Sequence, residues 1–247
     1  MIKKKSGINK KINLFFIILL SGVFLFSAGK ILFIAWGYHQ ASRLYSEAEE
    51  AYVAPEQDDT GFSVDFPALK AVNPEVIGWL VIDDTAISYP IVRGTDNDKY
   101  LKTAYDGSPS RNGSIFMNCY NAADFSDQNT LIYGHHMRDG SMFGKLPDFK
   151  DPAFLQSHRT FSIYVEGGEL RYEIFAAYET YSASFVYTDH FNYSWDFYEF
   201  AQKCRNASII DLGVELTEND RIVTLSTCNS RNNRASRFVV QGKRITE

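Results

Sequence analysis

From residue 12 to residue 29 the chain runs INLFFIILLSGVFLFSAG without a charge, and after Lys30 the apolar pattern resumes as ILFIAWGY. Read as a helix, residues 12–38 reach about 40 Å at 1.5 Å per residue, enough to cross about 30 Å of hydrocarbon. Lys30 then snorkels, and Trp36 and Tyr38 sit at the headgroups. The pattern therefore predicts one membrane anchor. Residues 39–53, HQASRLYSEAEEAYV, read as a largely polar helix, and the APEQDDTG that follows has the composition of a solvated tether. Beyond residue 62 a short helix over 66–72 precedes a different rhythm, in which apolar and β-branched runs are separated by turn residues. These runs are 78–82, 86–92, 113–118, 129–134, 160–166, 169–180, 221–227 and 236–243. They predict a mainly antiparallel β domain, a barrel or sandwich, with Glu166-Gly167-Gly168-Glu169 as a hairpin turn. In 193–207 the apolar residues Phe197, Phe200, Ala201 and Cys204 recur at i, i+3, i+4 and i+7, which predicts an accessory helix with one buried stripe.

The 247 residues are 45% hydrophobic and 22% charged, a composition that excludes a disordered or low-complexity chain. A formal charge of −5 lacks the basic footprint that nucleic-acid binding needs. Residues 1–53 hold seven basic and three acidic residues, a net +4, which leaves −9 for the remainder. Five of those lysines precede the apolar stretch, so the positive-inside rule predicts residues 1–11 in the cytoplasm, 12–38 in the membrane, 39–61 as an outer stalk and 62–247 as an extracytoplasmic domain. A cleaved signal peptide ending near Ala28 is the rival reading. It is disfavoured by the length of the apolar core, by Phe26 at the small-residue position and by the hydrophobicity that continues afterwards.

Three cysteines are too few for a disulfide scaffold. Cys204 lies on the apolar stripe of its helix and reads as core, and Cys119, after a predicted strand, reads as a half-buried structural thiol. Cys228 ends the run RIVTLST and precedes a polar loop carrying Arg231 and Arg234, with Arg237 beyond it. A strand-end thiol in electropositive surroundings is where a usable thiolate is expected. Such a nucleophile needs a histidine partner. His39 falls in the stalk and His158 and His190 in polar loops, whereas His135 and His136 end a predicted strand, after a Gly134 that permits an unusual turn. Adjacent histidines on a strand point opposite ways, and no Cys or carboxylate cluster has ligand spacing, so neither a metal nor a cofactor is expected. The Asp83-Asp84 pair reads as a turn. Charge developing on an attacked carbonyl needs a fixed cation. Arg237 opens the final strand run and is the first candidate, with Arg231 and Arg234 as alternatives. On the residues alone, all of these groups are also compatible with ordinary surface and loop roles.

Together the pieces resemble the sortases, and class B in particular. TLSTC (224–228) matches the family's TLxTC motif. YGHHM (133–137) followed by SMFGKL (141–146) resembles the class B histidine region, and RFVV (237–240) matches the arginine that opens the last strand. NPEVIGWLVIDDT (73–85) with YPIV (89–92) is similar to the start of class B catalytic domains, so the resemblance spans about residues 66–247. It implies a closed sortase-type β-barrel with accessory helices and a cysteine transpeptidase acting on secreted proteins, with His135, Cys228 and Arg237 as catalytic residues and His136 structural. Ser226 and Thr227, just before the cysteine, become candidate substrate-binding residues. The implied partners are a C-terminal sorting-motif peptide, cleaved at a Thr carbonyl through a thioester, and a cell-wall peptidoglycan amine. The remaining alternatives are a hydrolytic cysteine protease using the same residues and a catalytically silent, membrane-tethered β domain that binds a partner.

Overall fold

The structure, a computed structural model, describes residues 6–55, 62–228 and 235–246. The chain divides into two compact units, one ending at Gln40 and the other beginning at Ala41. Helix α1, Ser6–Tyr52, contributes to both. Between residues 12 and 36 its large apolar side chains are all exposed, and this is the one helix among the described residues long and apolar enough to cross a membrane.

In the second unit the last turns of α1 are packed. Ala41, Tyr45 and Ala48 are buried and Leu44 and Tyr52 partly so, a spacing of three to four residues that puts one face on the barrel core. The segment expected to begin the stalk is thus part of the folded domain. A two-stranded antiparallel sheet follows, β1 (Val53–Pro55) with β2 (Phe62–Val64). Helix α2, Phe66–Val72, starts where Asp65 Oδ1 accepts from the Ala68 amide at 3.0 Å, with Pro67 in the first turn.

Eight strands then close a barrel: β3 (Val76–Ile82), β4 (Ile87–Val92), β5 (Ile115–Met117), β6 (Asn129–Gly134), β7 (Thr160–Val165), β8 (Gly168–Tyr181), β9 (Ile222–Cys228) and β10 (Ser236–Arg244). Around the wall the order is β3-β4-β5-β6-β9-β10-β8-β7. Every run identified in the sequence becomes a barrel strand, and within the expected hairpin Glu166 and Gly167 form the β7–β8 turn while Gly168 and Glu169 already pair in β8. The pairing is not uniformly antiparallel, because β4 with β5 and β6 with β9 run parallel. The barrel is filled by Leu80, Ile91, Ile132, Phe161, Leu225 and Phe238. Helix α3, Pro152–Ser157, lies in the β6–β7 connection, and α4, Ser194–Ala207, lies between β8 and β9. The predicted stripe of α4, Phe197, Phe200, Ala201 and Cys204, is the face it buries, against Phe175, Tyr178 and Val239 of the wall.

Candidate active site

Strand β9 lies between β6 and β10, and a buried polar network sets the three against one another. Thr224 Oγ1 donates to Asn129 Oδ1 on β6 at 2.8 Å and accepts from Gln241 Nε2 on β10 at 2.9 Å. Asn129 also donates to the Thr188 carbonyl at 2.8 Å, and Gln241 accepts from the Tyr178 hydroxyl at 3.0 Å. A buried network satisfied in this way penalises any slip of the ladder, since a shift would orphan each polar group in turn.

The resulting register brings the ends of three strands together. Gly134 of β6 pairs with Thr227 of β9, so His135 and Cys228 are the next residues along two parallel neighbours. On the other side Cys228 is directly opposite Arg237 across the antiparallel β9–β10 ladder. The side chain of Cys228 lies outside the described residues, as do Arg231 and Arg234.

His135 is half-buried and His136 exposed, as the alternation of a strand end predicts. Gly134 does not have the positive φ that its type suggested; close approach is what demands glycine there. A Cβ at this position would stand 2.5 Å from Ile115 Cδ1 and 2.7 Å from the Phe143 ring. The backbone after it is clamped, with the Phe143 and Met137 amides donating to the His135 carbonyl at 3.0 and 3.1 Å. The imidazole Nε2 lies 2.9 Å from the Leu101 carbonyl oxygen. A carbonyl only accepts, so this contact assigns the hydrogen to Nε2 and leaves Nδ1 as the nitrogen able to take up or release a proton.

A cavity of about 300 Å³ opens at this end of the barrel. His135, Ser226, Thr227 and Arg237 line it together with Asn97, Leu101, Phe116, Tyr133, Ser182 and Tyr187. Arg237 is half-buried, and its Nη1 donates to the Ser236 carbonyl at 3.0 Å. The Ser226 and Tyr187 hydroxyls are 2.8 Å apart, and the Tyr133 ring packs on Phe116 at 5.3 Å between centroids. Four of the five residues singled out from the sequence thus share one cavity, and Cys228 ends the strand beside it. Of the residues lining the rest, only Tyr133 and Gly134 fall in a motif read from the sequence, YGHHM (133–137). Asn97 and Leu101 sit in the β4–β5 connection, and Ser182 and Tyr187 in the β8–β9 connection, with nothing in their spacing to link them to the cysteine.

Other candidates stand apart. Cys204 is fully buried and desolvation pushes its thiol up to about 11, which makes it inert. Cys119 is half-buried, its amide donating to Asn97 Oδ1 at 2.9 Å and its carbonyl accepting from Arg93. His39 and His190 are exposed, whereas His158 stacks on Phe154 at 3.8 Å rather than standing free in solvent. Asp83 and Asp84 form a turn, with Asp84 at φ 57°. Among the described residues no group of three or more His, Cys, Asp or Glu is placed to hold a metal ion.

The sortase-domain family model matches residues 80–245. The chain is similar to sortase B of Listeria monocytogenes, with 37% identity over 251 residues that cover 99% of this chain and 100% of that one. The solved structure of sortase B from Bacillus anthracis in complex with AAEK1 matches with a TM-score of 0.77 at 34% identity, over 86% of this chain and 99% of that one. A Staphylococcus aureus sortase B–substrate complex matches with a TM-score of 0.69 at 29% identity, over 84% and 92%. With the family match covering well over half of its length, and a relative similar from end to end, the chain belongs to the sortase family of enzymes and, within it, to class B.

Proposed function

We propose that this sortase is a membrane-tethered transpeptidase in which Cys228, His135 and Arg237 carry the chemistry. The observation that supports the reading is the register of β6, β9 and β10, in which the three residues fall at the same level on adjacent strands. The substrate is a sorting-motif peptide near the C-terminus of a secreted protein, held in the cavity beside Ser226 and Thr227. The Cys228 thiolate attacks the carbonyl carbon of the Thr residue, and the oxyanion that forms is met by the Arg237 guanidinium, a charge that is permanent and needs no reorganisation. Collapse of the tetrahedral intermediate breaks the C–N bond. His135 delivers a proton to the leaving amine from Nδ1, because its Nε2 hydrogen is committed to Leu101. A cell-wall amine then attacks the thioester, gives a proton to the neutral imidazole and displaces the thiolate, which closes the cycle without a cofactor. The lysines before the apolar helix favour a cytoplasmic N-terminus, which puts the barrel on the outer face where secreted proteins and cell-wall precursors meet.

The test uses the full-length protein in detergent or nanodiscs, wild type and Cys228→Ala, with a panel of sorting-motif peptides and with or without an amine acceptor, read by mass spectrometry. An acyl adduct on the wild type alone, converted to an amide product when amine is added, is expected. Acid product alone at saturating amine would make the enzyme a hydrolase. A folded protein with reduced thiols and neither adduct nor cleavage across the panel would leave only a binding role.

A further inference from the structure

Tyr45 belongs to α1, outside the barrel wall and remote in sequence from every residue of the site, yet it is only 5% exposed. Its hydroxyl donates to the Gly113 carbonyl at 2.8 Å and lies 3.3 Å from Ser114 Oγ. One hydroxyl hydrogen faces both acceptors, and the shorter contact, to Gly113, takes most of it.

Of the two residues held in this way, Gly113 lies against the His135 imidazole and Ser114 braces the turn that meets it. Gly113 has φ +59°, and a Cβ there would stand 3.1 Å from His135 Cδ2 and 2.5 Å from the Tyr100 carbonyl, so the backbone lies flush against the ring. The Ser114 amide donates to the Tyr100 carbonyl at 3.0 Å and its Oγ donates to the Thr103 carbonyl at 2.8 Å. These bonds fix the short 3-10 turn Lys99–Leu101, whose last carbonyl receives the His135 Nε2 hydrogen. A second brace runs through the ring of Tyr45, which packs edge-on against Tyr89 at 5.3 Å and 83°. The Tyr89 hydroxyl accepts from the Met142 amide at 3.0 Å, Met142 bridges to His136, and the next amide, that of Phe143, donates to the His135 carbonyl.

We propose that Tyr45 is a positioning residue for His135, setting the orientation and tautomer of its imidazole through Gly113, Ser114 and the turn that ends at Leu101. The proposal rests on the reading of His135 as the proton carrier. Among the described residues no hydrogen bond or ring contact joins Tyr45 to His135, and Tyr45 does not line the cavity, so its loss weakens proton transfer and leaves peptide binding alone. Misplacing a reacting group by an ångström costs up to about a hundredfold in rate, and the loss of one hydrogen bond from a braced chain is set at about tenfold. The last turns of α1 thereby become part of the catalytic scaffold.

The experiment compares full-length wild type, Tyr45→Phe, Ser114→Ala and His135→Gln in nanodiscs. It measures transfer kinetics with one sorting peptide and the imidazole ¹⁵N and ¹H resonances of His135. Tyr45→Phe keeps the ring and its packing, so the unfolding midpoint is expected within about 5 °C of wild type. Its kcat falls about tenfold with KM within about twofold, and the Nε2–H signal shifts or broadens; Ser114→Ala shows the same pattern. Wild-type kcat and unchanged His135 resonances in both variants, with His135→Gln inactive, would overturn the role of Tyr45 and leave the site as read. His135→Gln with wild-type turnover would overturn the reading of the site itself. Should Tyr45→Phe fail to fold, Ser114→Ala decides between the same outcomes.

Discussion

Thr224 offers a sharp test of what holds β9 in place. It is fully buried, and its hydroxyl is the only group linking Asn129 on β6 to Gln241 on β10 among the described hydrogen bonds. Thr224→Val keeps the shape of the side chain but removes both bonds, leaving Asn129 Oδ1 and one Gln241 amide hydrogen without this partner. At about 1–3 kcal/mol for each buried group left unsatisfied, the cost of the two is about 2–6 kcal/mol. Thr224→Ser does the reverse, keeping the hydroxyl and deleting a methyl, for about 1 kcal/mol. In a domain of this size 1 kcal/mol moves the midpoint by about 2–4 °C, so Val should melt about 4–24 °C below wild type and Ser only about 2–4 °C below. Differential scanning calorimetry of both variants under identical conditions measures this. Finding Val as stable as Ser, or more so, would refute the assignment of the register to the polar network, since hydrophobic transfer and packing alone favour Val.

Three further outcomes follow from the same geometry. Gly134→Ala forces a methyl onto Ile115 and the Phe143 ring and is expected to cost about 1–3 kcal/mol and to slow transfer, because the displaced residue precedes His135; wild-type melting and wild-type rates together would contradict it. Cys204 should not react with Ellman's reagent in the folded protein. In the unfolded chain its thiol ionises near 8.5, whereas burial keeps the folded thiol neutral to about 11, so stability present below pH 8.5 is lost as pH rises through that window. A Cys204→Ala variant with the same slope of stability against pH would count against this. Arg237→Ala is expected to lower kcat by about 10²–10³-fold, with Lys restoring only part of it because an ammonium lacks the planar fork; full activity in the Lys variant, measured by amide product formation, would show that charge alone suffices.

The strands were legible in the sequence because each is a short apolar run bounded by turn residues, and the buried face of α4 because four apolar residues keep helical spacing. Pairing direction was not legible. Whether β6 lies beside β9 depends on Asn129 meeting Thr224 across 95 residues, a contact that leaves no periodic trace. The packing of 41–52 was hidden for another reason. Ala41, Leu44, Tyr45 and Ala48 do form a stripe, but two alanines, one leucine and one tyrosine among four charged residues carry little apolar weight, and the segment as a whole reads as polar. At the site, the motifs around Cys228 and Arg237 are contiguous with strands and could be read directly. Leu101 acts through its backbone carbonyl, which no side-chain pattern encodes.

The closure of the barrel limits how a peptide can be read. Many extended peptides are recognised by adding a strand to an exposed sheet edge, where main-chain hydrogen bonds supply affinity whatever the side chains are. Here β9 is occupied on both sides, by β6 and by β10, and the wall continues around to β3 without an unpaired strand among the described residues. A ligand at this end of the barrel must therefore be bound by the side chains and loop groups around the cavity. The lining residues left to discriminate among sequences lie in the β4–β5 and β8–β9 connections, so exchanging those two loops between relatives is expected to retune selectivity while the barrel that sets the register of β6, β9 and β10 stays as it is.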